Sequence, residues 1–225
     1  HNLGDISPDG QWIAYSANDD NPASMDVCLY HTQTGEKRRI FAGKLSFPVE
    51  WSPNGRYLTI LESTGNTNLN TWLYDHQTGE TVLCTPHEGE AIFAAVGWSP
   101  NNDGFYIVSD SGREFMGLLY YDLAKKSYDW AETPNYDIEQ FAFSKDGRLM
   151  VWAVNENGAS KLYGKNLVTN TPINMPNLPL GVVNGMALNP DATKLALVYV
   201  RPSQASNLYE LNLATGEMIE LGQSM

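Results

Sequence analysis

One short motif occurs five times in this chain, and its repetition limits the fold more than any single residue does. The motif is a short apolar segment followed by Ser-Pro-Asp/Asn-Gly or by a weaker copy of that turn. The copies lie at 5–10, 50–55, 96–104, 143–147 and 188–192. Successive copies are 45, 47, 45 and 45 residues apart, counted at Pro8, Pro53, Pro100, Lys145 and Pro190. A fixed period of this length is typical of repeat architectures.

Each repeat contains the same order of segments. A short apolar strand leads into the turn, where Pro presets φ, Asp or Asn bonds the local backbone and Gly accepts positive φ. A second strand, a polar loop, a third strand, a hairpin turn and a short fourth strand follow. The second strands are predicted at 12–16, 57–61, 105–108, 149–154 and 195–200, the third at 27–30, 72–74, 118–121, 161–163 and 208–211, and the fourth at 37–41, 81–85, 128–131, 171–175 and 218–221.

The connections within a repeat are also alike. Polar loops are predicted between the second and third strands, at 18–24, 63–70, 110–115, 155–160 and 201–207. In three repeats the hairpin between the third and fourth strands carries Thr-Gly-Glu, and its glycine supplies positive φ. These glycines are Gly35, Gly79 and Gly216. Lys126 and Asn170 take that place in the third and fourth repeats. The second strands are almost continuously apolar, which predicts burial on both faces of a sheet.

Four antiparallel strands in about 45 residues predict the blades of an all-β fold, a β-propeller with five four-stranded blades. The chain is predicted to be a single domain, 1–225, with blade units at about 1–43, 44–88, 89–135, 136–179 and 180–225. Two arrangements stay open at this point. The five units either close as a small ring or form an arc of a ring of seven or eight blades.

The bulk composition excludes several partners. The net charge of −12 argues against nucleic acid, because phosphate binding needs clustered Lys and Arg. The one basic cluster, Lys37-Arg38-Arg39 beside Glu36, is predicted to be a solvated strand face. No apolar run reaches the roughly 18 residues of a membrane span, and no signal peptide is visible. We therefore expect no membrane partner and a cytoplasmic location.

The sequence predicts no catalytic residue, no cofactor and no metal. The nearest string to Gly-x-Ser-x-Gly is Gly97-Trp98-Ser99-Pro100-Asn101, which lies in a repeat turn, so Ser99 is predicted to be structural. None of the four histidines has a second His at metal-ligand spacing. His31 and His76 precede hairpin turns and are expected to be solvated.

Other polar residues are also expected to be structural. Cys28 and Cys84 are predicted to be buried free thiols, since two cysteines do not make a disulfide framework. The acidic pairs Asp19-Asp20 and Glu88-Gly89-Glu90 lack the spacing of a calcium loop and are expected to be surface charge. The loop 109–114 is the most polar connection, and it is either a plain exposed loop or a contact at the rim.

The six tryptophans fall into two groups. Trp51 and Trp98 precede the Ser-Pro turn and are predicted to pack between adjacent blades. Trp12, Trp72, Trp130 and Trp152 lie in predicted strands. A stacking platform for bases or sugars would need several of them exposed together, so core packing is the preferred interpretation.

The repeat resembles a known family. The stretch Phe-Pro-Val-Glu-Trp-Ser-Pro-Asn-Gly-Arg-Tyr-Leu at 47–58, with Thr-Trp-Leu-Tyr-Asp-His-Gln-Thr-Gly-Glu at 71–80, is similar to the repeat of TolB-type propellers and of prolyl oligopeptidase-family propellers. The opening 1–15 resembles an internal blade of the acylaminoacyl-peptidase-like branch. The segment 207–217 and the tail through Gln223-Ser224-Met225 resemble the final blade before a hydrolase domain.

This resemblance implies a non-catalytic propeller that caps an α/β-hydrolase domain of the same polypeptide and limits peptide access to its Ser-Asp-His triad. The partners implied are that hydrolase domain and the peptide substrate, and self-association through open blade edges is expected if the ring is open. The alternative is a stand-alone TolB-like module for protein interaction, which would be periplasmic with its signal peptide removed. A five-bladed lectin or small enzyme fits least well, because acidic, histidine and exposed aromatic residues do not converge.

Overall fold

The fold is built from β-strands alone. The computed structural model describes residues 1–19, 21–202 and 204–222, and these residues form twenty strands in five four-stranded sheets, without a helix. The strand order within every sheet follows the chain, and neighbouring strands are antiparallel. This confirms the prediction of a β-propeller with five blades of four strands each. Each sheet lies within one of the blade units predicted from the sequence.

The first compact unit comprises His1–Arg113 and Leu118–Ala131 and holds three sheets, apart from the two strand-end residues Gly117 and Glu132. Sheet 1 consists of β1 (Asn2–Ile6), β2 (Trp12–Ala17), β3 (Asp26–His31) and β4 (Lys37–Phe41). Sheet 2 consists of β5 (Ser46–Trp51), β6 (Tyr57–Gly65), β7 (Asn68–Asp75) and β8 (Thr81–Leu83). Sheet 3 consists of β9 (Phe93–Trp98), β10 (Gly104–Ser109), β11 (Gly117–Asp122) and β12 (Ser127–Glu132).

The second compact unit comprises Glu114–Gly117 and Glu132–Met225 and holds two sheets. Sheet 4 consists of β13 (Ile138–Phe143), β14 (Leu149–Glu156), β15 (Ala159–Asn166) and β16 (Thr171–Ile173). Sheet 5 consists of β17 (Val182–Leu188), β18 (Lys194–Arg201), β19 (Gln204–Asn212) and β20 (Met218–Gly222).

Three of the predicted loops are wrong, because strand pairing continues into their polar residues. Within 63–70, β6 extends to Gly65 and β7 begins at Asn68. Within 155–160, β14 and β15 are joined only by Asn157 and Gly158, both at positive φ. Within 201–207, β19 begins at Gln204. The pairing between neighbouring strands outweighs the low β propensity of Asn, Ser and Glu.

In three of the repeats, a serine hydroxyl stabilises the turn between the first and second strands by two hydrogen bonds. The hydroxyl of Ser7 accepts a hydrogen bond from the Trp12 N–H at 2.9 Å and donates one to Asp9 at 2.6 Å. The same pair of bonds links Ser52 to Tyr57 and Asn54, and Ser144 to Leu149 and Asp146. In the fifth repeat the side-chain oxygen of Asn189 accepts from the Lys194 N–H at 2.8 Å. The turn motif therefore recurs because it joins the first strand to the second with side-chain hydrogen bonds.

Most residues with positive φ lie where the sequence predicts them. Lys126 and Asn170 have φ values of 55° and 56°, as their place in the hairpin turns predicts. The third repeat departs from the general pattern of the turn, because its glycine, Gly104, is not the residue with positive φ. In that longer turn Asn102 takes positive φ, at 57°, whereas Gly104 begins β10 and leaves no room for a Cβ, which would lie 2.2 Å from the Tyr121 carbonyl oxygen.

Ala192 offers a test of this turn. It has a φ of 55° at the position where three of the other repeats have Gly10, Gly55 and Gly147. An L-residue with a Cβ is strained there, so we expect Ala192→Gly to raise the free energy of unfolding by roughly 0.5–1 kcal/mol. Urea titration followed by tryptophan fluorescence measures this change. The reverse variant Gly147→Ala should be less stable than the wild type, and stabilisation by both variants would contradict the explanation.

The core lies between consecutive sheets of each unit. Sheets 1 and 2 share a cluster that contains Trp12, Ala14, Val27, Leu29, Trp51, Leu58, Ile60 and Tyr74. Sheets 2 and 3 share one with Cys84, Ala91, Phe93, Ala95, Trp98, Phe105, Ile107, Leu119 and Tyr121. Sheets 4 and 5 share one with Ala142, Val151, Ala153, Leu162, Val183, Leu195, Leu197, Tyr199, Tyr209 and Leu211.

The predicted burial of the second strands on both faces holds best in sheet 4, where all residues from Met150 to Val154 are buried. The prediction is wrong for β18, the second strand of sheet 5. One face of β18 packs in the core, but Val198 on the other face is 40% exposed. Leu208 and Ile219, on the same face of the two following strands, are 43% and 47% exposed. That face of sheet 5 is not covered by sheet 4.

Candidate functional site

The candidate site is a pair of acidic residues on two neighbouring first strands of the first unit. Asp5 lies on β1 and Glu50 on β5, and these two strands pack against each other. The Asp5 carboxylate accepts hydrogen bonds from two backbone N–H groups, those of Ile6 at 2.8 Å and Trp51 at 2.9 Å. This carboxylate is thereby fixed at the carboxyl end of β5.

The backbone of Glu50 is fully engaged, but its side chain is not. Its carbonyl oxygen accepts hydrogen bonds from the Thr59 hydroxyl at 3.1 Å and from the Trp98 indole N–H at 3.2 Å. Among the described residues, neither a hydrogen-bond donor nor a cation reaches its carboxylate. A carboxylate in this position loses hydration without a compensating partner.

The protonation of Glu50 is shifted as a result. Burial, and secondarily the negative charge of Asp5, raises the pKa of the Glu50 carboxyl to about 7. The group therefore gains or loses a proton close to neutral pH, and a cation brought next to it would favour the charged form. Carboxyls perturbed by burial and by a specific neighbour are frequent at functional sites.

The sequence contains a weak signal for this site. Glu50 is the one acidic residue in the otherwise apolar stretch 47–51 of β5. From the sequence alone, Glu50 is only one residue of the turn motif. Its proximity to Asp5 depends on the packing of two sheets, which the sequence does not display.

The expectation that His31 and His76 are solvated is wrong. Both are half-buried, because the ends of β3 and β7 face the packed tryptophans. The ring of His31 contacts that of Trp12 edge-on, with centroids 4.7 Å apart, and His76 lies 5.4 Å from both Trp12 and Trp51. Burial, and secondarily the charge of Arg38, lowers the pKa of His76. His76 thus contacts both sheets 1 and 2, whereas His31 packs on Trp12 within sheet 1.

The tryptophans do not form a stacking platform among the described residues. Trp98 bonds across to the neighbouring sheet through Glu50, and Trp51 is 3% exposed beside sheet 1, as the blade-packing prediction requires. Trp130 is 39% exposed on β12, with the Arg113 guanidinium 5.0 Å from its ring centroid. Trp12, Trp72 and Trp152 lie in strands and are at least partly buried.

Ser99, Cys28 and Cys84 are all at least half-buried in the fold. The Ser99 hydroxyl is buried in its turn and accepts from the Asn101 N–H at 3.4 Å. Cys84 is a buried free thiol as predicted, whereas Cys28 is half-buried. Burial raises the pKa of Cys84 to about 12.

The charged surface segments lie where the sequence placed them. The cluster 37–39 is exposed along β4, with Arg38 bonded to Glu36 at 2.8 Å and Arg39 to Asp26 at 3.2 Å. Glu88 and Glu90 are exposed. Within the loop 109–114, the Asp110 carboxylate accepts from the Ile92 N–H at 2.8 Å. Asp20 and the tail 223–225 are outside the described residues.

The described residues contain no group of three or more His, Cys, Asp or Glu residues placed to hold a metal ion. The described part of the chain also has no helix long and apolar enough to cross a bilayer.

The fold is shared with several solved structures. A structure from a study of two prolyl endopeptidases, concerned with inter-domain dynamics in catalysis and specificity, matches 98% of this chain with a TM-score of 0.77 at 13% identity. TolB from Acinetobacter baumannii matches 96% with a TM-score of 0.65 at 16% identity. A protein assigned as TolB in Agrobacterium tumefaciens matches 98% with a TM-score of 0.66 at 13% identity.

These matches define the chain as a β-propeller. More specifically, it has the TolB-like propeller fold that the propeller of a prolyl endopeptidase also has. The chain spans about a third of the prolyl endopeptidase and about half of the Acinetobacter TolB, at 34% and 53% of their lengths. No family model matches the sequence, and no curated protein does.

Proposed function

We propose that this chain is the non-catalytic propeller domain of a prolyl oligopeptidase-family serine peptidase, where it caps a hydrolase domain and gates peptide access. The observation that carries the proposal is the match of 98% of the chain to 34% of a prolyl endopeptidase, with a TM-score above those of the two TolB matches. A propeller that occupies a third of a peptidase leaves the larger part of that protein to supply chemistry. The proposed location is the cytoplasm.

In this proposal, the acidic pair Asp5 and Glu50 lets the domain select peptides by their charge. Asp5 and Glu50 lie on first strands, and Glu50 has a carboxyl with no cationic partner among the described residues. A lysine or arginine side chain of a passing peptide would stabilise the charged form of Glu50. The proposed mechanism is therefore exclusion by size, combined with a preference for cationic peptides above neutral pH.

The test uses the complete gene product that contains these 225 residues. We expect it to hydrolyse a fluorogenic short peptide but to spare a folded protein with the same cleavage site. The cationic peptide should be favoured over its acidic counterpart at pH 8, and Glu50→Gln should reduce this ratio without changing turnover of a neutral peptide. A complete gene product without a hydrolase domain or peptidase activity would overturn the proposal.

The second candidate function is a stand-alone TolB-like interaction module. It is favoured by the two TolB structures, which match 96% and 98% of the chain. A complete gene product that ends close to Met225 and copurifies with a protein partner would support this alternative. The coding sequence downstream of residue 225 distinguishes the two candidates directly.

A further inference from the structure

A groove of about 310 Å³ lies between sheets 2 and 3, within the first compact unit. Its floor is largely apolar. Leu73 and Tyr121 line it from the third strands of the two sheets, and Val82 lines it from β8 and is 50% exposed. Four charged residues also line the groove. The volume is at the lower end of the range for small-ligand sites, so the groove suits a small molecule.

The repeat shows why this groove is open at Val82. The Thr-Gly-Glu hairpins place Glu36 of sheet 1 and Glu80 of sheet 2 at the same position, so Val82 corresponds to Arg38. In sheet 1 the Arg38 guanidinium lies 4.9 Å from the ring centroid of Trp12 and bonds to Glu36 at 2.8 Å. Arg38 therefore covers an aromatic ring and neutralises a carboxylate. Val82 is too short for the first task and has no charge for the second.

Two of the four charges in the groove are unpaired. Arg56 and Asp75 bond to each other at 2.8 Å. Glu80 and Lys126 form no ion pair with each other or with any other residue that the structure describes, and both are exposed. A single exposed charge is ordinary, but these two have opposite signs and line the same apolar groove. Glu80 belongs to the hairpin of sheet 2, and Lys126 belongs to the hairpin of sheet 3.

The backbone conformation at Lys126 is unfavourable for a lysine. Its φ is 55°, at the hairpin position where Gly35 and Gly79 have 73° and 78°. Glycine adopts positive φ without strain, so the lysine side chain comes at a cost in stability. Residues held in such conformations are frequent at ligand-binding sites. Here the strained residue is also the one that brings an unpaired ammonium group to the groove.

The lining defines the class of ligand. A carboxylate such as that of Glu80 accepts hydrogen bonds from an ammonium group, and the ammonium of Lys126 donates to a carboxylate. A free apolar amino acid or short peptide carries both groups, together with an apolar side chain that would cover the floor at Val82. Because the two protein charges belong to different sheets, such a ligand would also connect sheet 2 to sheet 3.

We propose that the groove between sheets 2 and 3 binds a free apolar amino acid or short peptide as a zwitterion. Glu80 bonds to the ammonium group of the ligand, Lys126 bonds to its carboxylate, and Val82 and Leu73 contact its apolar side chain. This site goes beyond the gating function and does not depend on it.

The test uses the complete gene product that contains these 225 residues, with leucyl-leucine as the probe. We expect saturable binding by isothermal titration calorimetry. Acetyl-leucyl-leucine lacks the ammonium group and leucyl-leucinamide lacks the carboxylate, so each should bind at least about tenfold more weakly, the effect of one lost hydrogen bond between charged groups. A parallel titration with leucine distinguishes an amino acid from a peptide, and saturable binding of either zwitterion supports the proposal.

Two variants with matched controls locate the binding. Lys126→Gly should weaken binding about tenfold and yet raise the midpoint of urea unfolding, because glycine fits positive φ. Asn170→Gly makes the same backbone change in sheet 4 and should leave binding unchanged. Glu80→Gln should also weaken binding about tenfold. Glu217→Gln is its control, because Glu217 has the same hairpin position in sheet 5 and should not affect binding.

Three results would overturn the proposal. The first is the absence of saturable binding to both zwitterions. The second is equally tight binding by the blocked peptides or by Lys126→Gly, which would show that the ligand is held without these charges. The third is a loss of binding in Lys126→Gly together with a lower unfolding midpoint, which would show that Lys126 supports the fold and not the ligand.

Discussion

Replacing Glu50 by glutamine should stabilise the protein by about 3 kcal/mol at pH 8 and leave its stability almost unchanged at pH 4. Burial raises the Glu50 pKa from 4.5 to about 7 in the folded chain. A raised folded pKa means that the protonated form is stabilising, and this stability is fully present below the unfolded pKa. It is lost as the pH rises from about 4.5 through about 7. Glutamine has the shape of the protonated acid but does not ionise.

Urea unfolding of the wild type and of Glu50→Gln at pH 4, 6 and 8 measures this effect. The difference in unfolding free energy between the two proteins should grow with pH and level off above about 7. The variant Glu88→Gln is the matched control, because Glu88 is an exposed glutamate of the same unit. A difference that is the same at all three values of pH would show that Glu50 is not desolvated in the folded state.

The second large effect is expected in the core of sheets 2 and 3. Phe105 is completely buried, and its ring lies 5.1 Å from that of Trp98 and 5.0 Å from that of Tyr121. Truncation to alanine removes the buried ring and leaves a cavity that the paired strands cannot close. We expect Phe105→Ala to lower the free energy of unfolding by about 3–5 kcal/mol.

The same urea titration, followed by tryptophan fluorescence, checks this prediction. Val82→Ala is the control, because Val82 is 50% exposed on β8 and its truncation should cost less than about 1 kcal/mol. A loss below about 1 kcal/mol for Phe105→Ala would mean that this core relaxes around the missing ring.

Local signals in the sequence are sufficient for most of the fold. The turn residues and the apolar runs between them are short-range features, so the twenty strands and their order follow from the repeat. The repeat predicts positive φ at Lys126 because three of the other repeats have glycine there, although lysine itself carries no such preference. The predicted loop at 63–70 is wrong because the residues that pair across it are polar, and their strand conformation comes from their neighbours in the sheet.

The candidate site can be predicted from the sequence to a smaller extent than the fold. The pKa of Glu50 depends on Asp5, 45 positions earlier, and on the desolvation that arises only when two sheets pack. The environment of His76 differs from its prediction for the same reason, because Trp12 belongs to another repeat.

The strand order within the sheets has a consequence for how such a chain can change in length. Every sheet is made of four consecutive strands, and none borrows a strand from a distant part of the chain. In four of the five repeats, the serine or asparagine side chain that joins the first strand to the second also bonds within its own repeat. Duplication or loss of one segment of about 45 residues would therefore alter the number of blades while leaving the hydrogen-bonded pairs of the other blades intact.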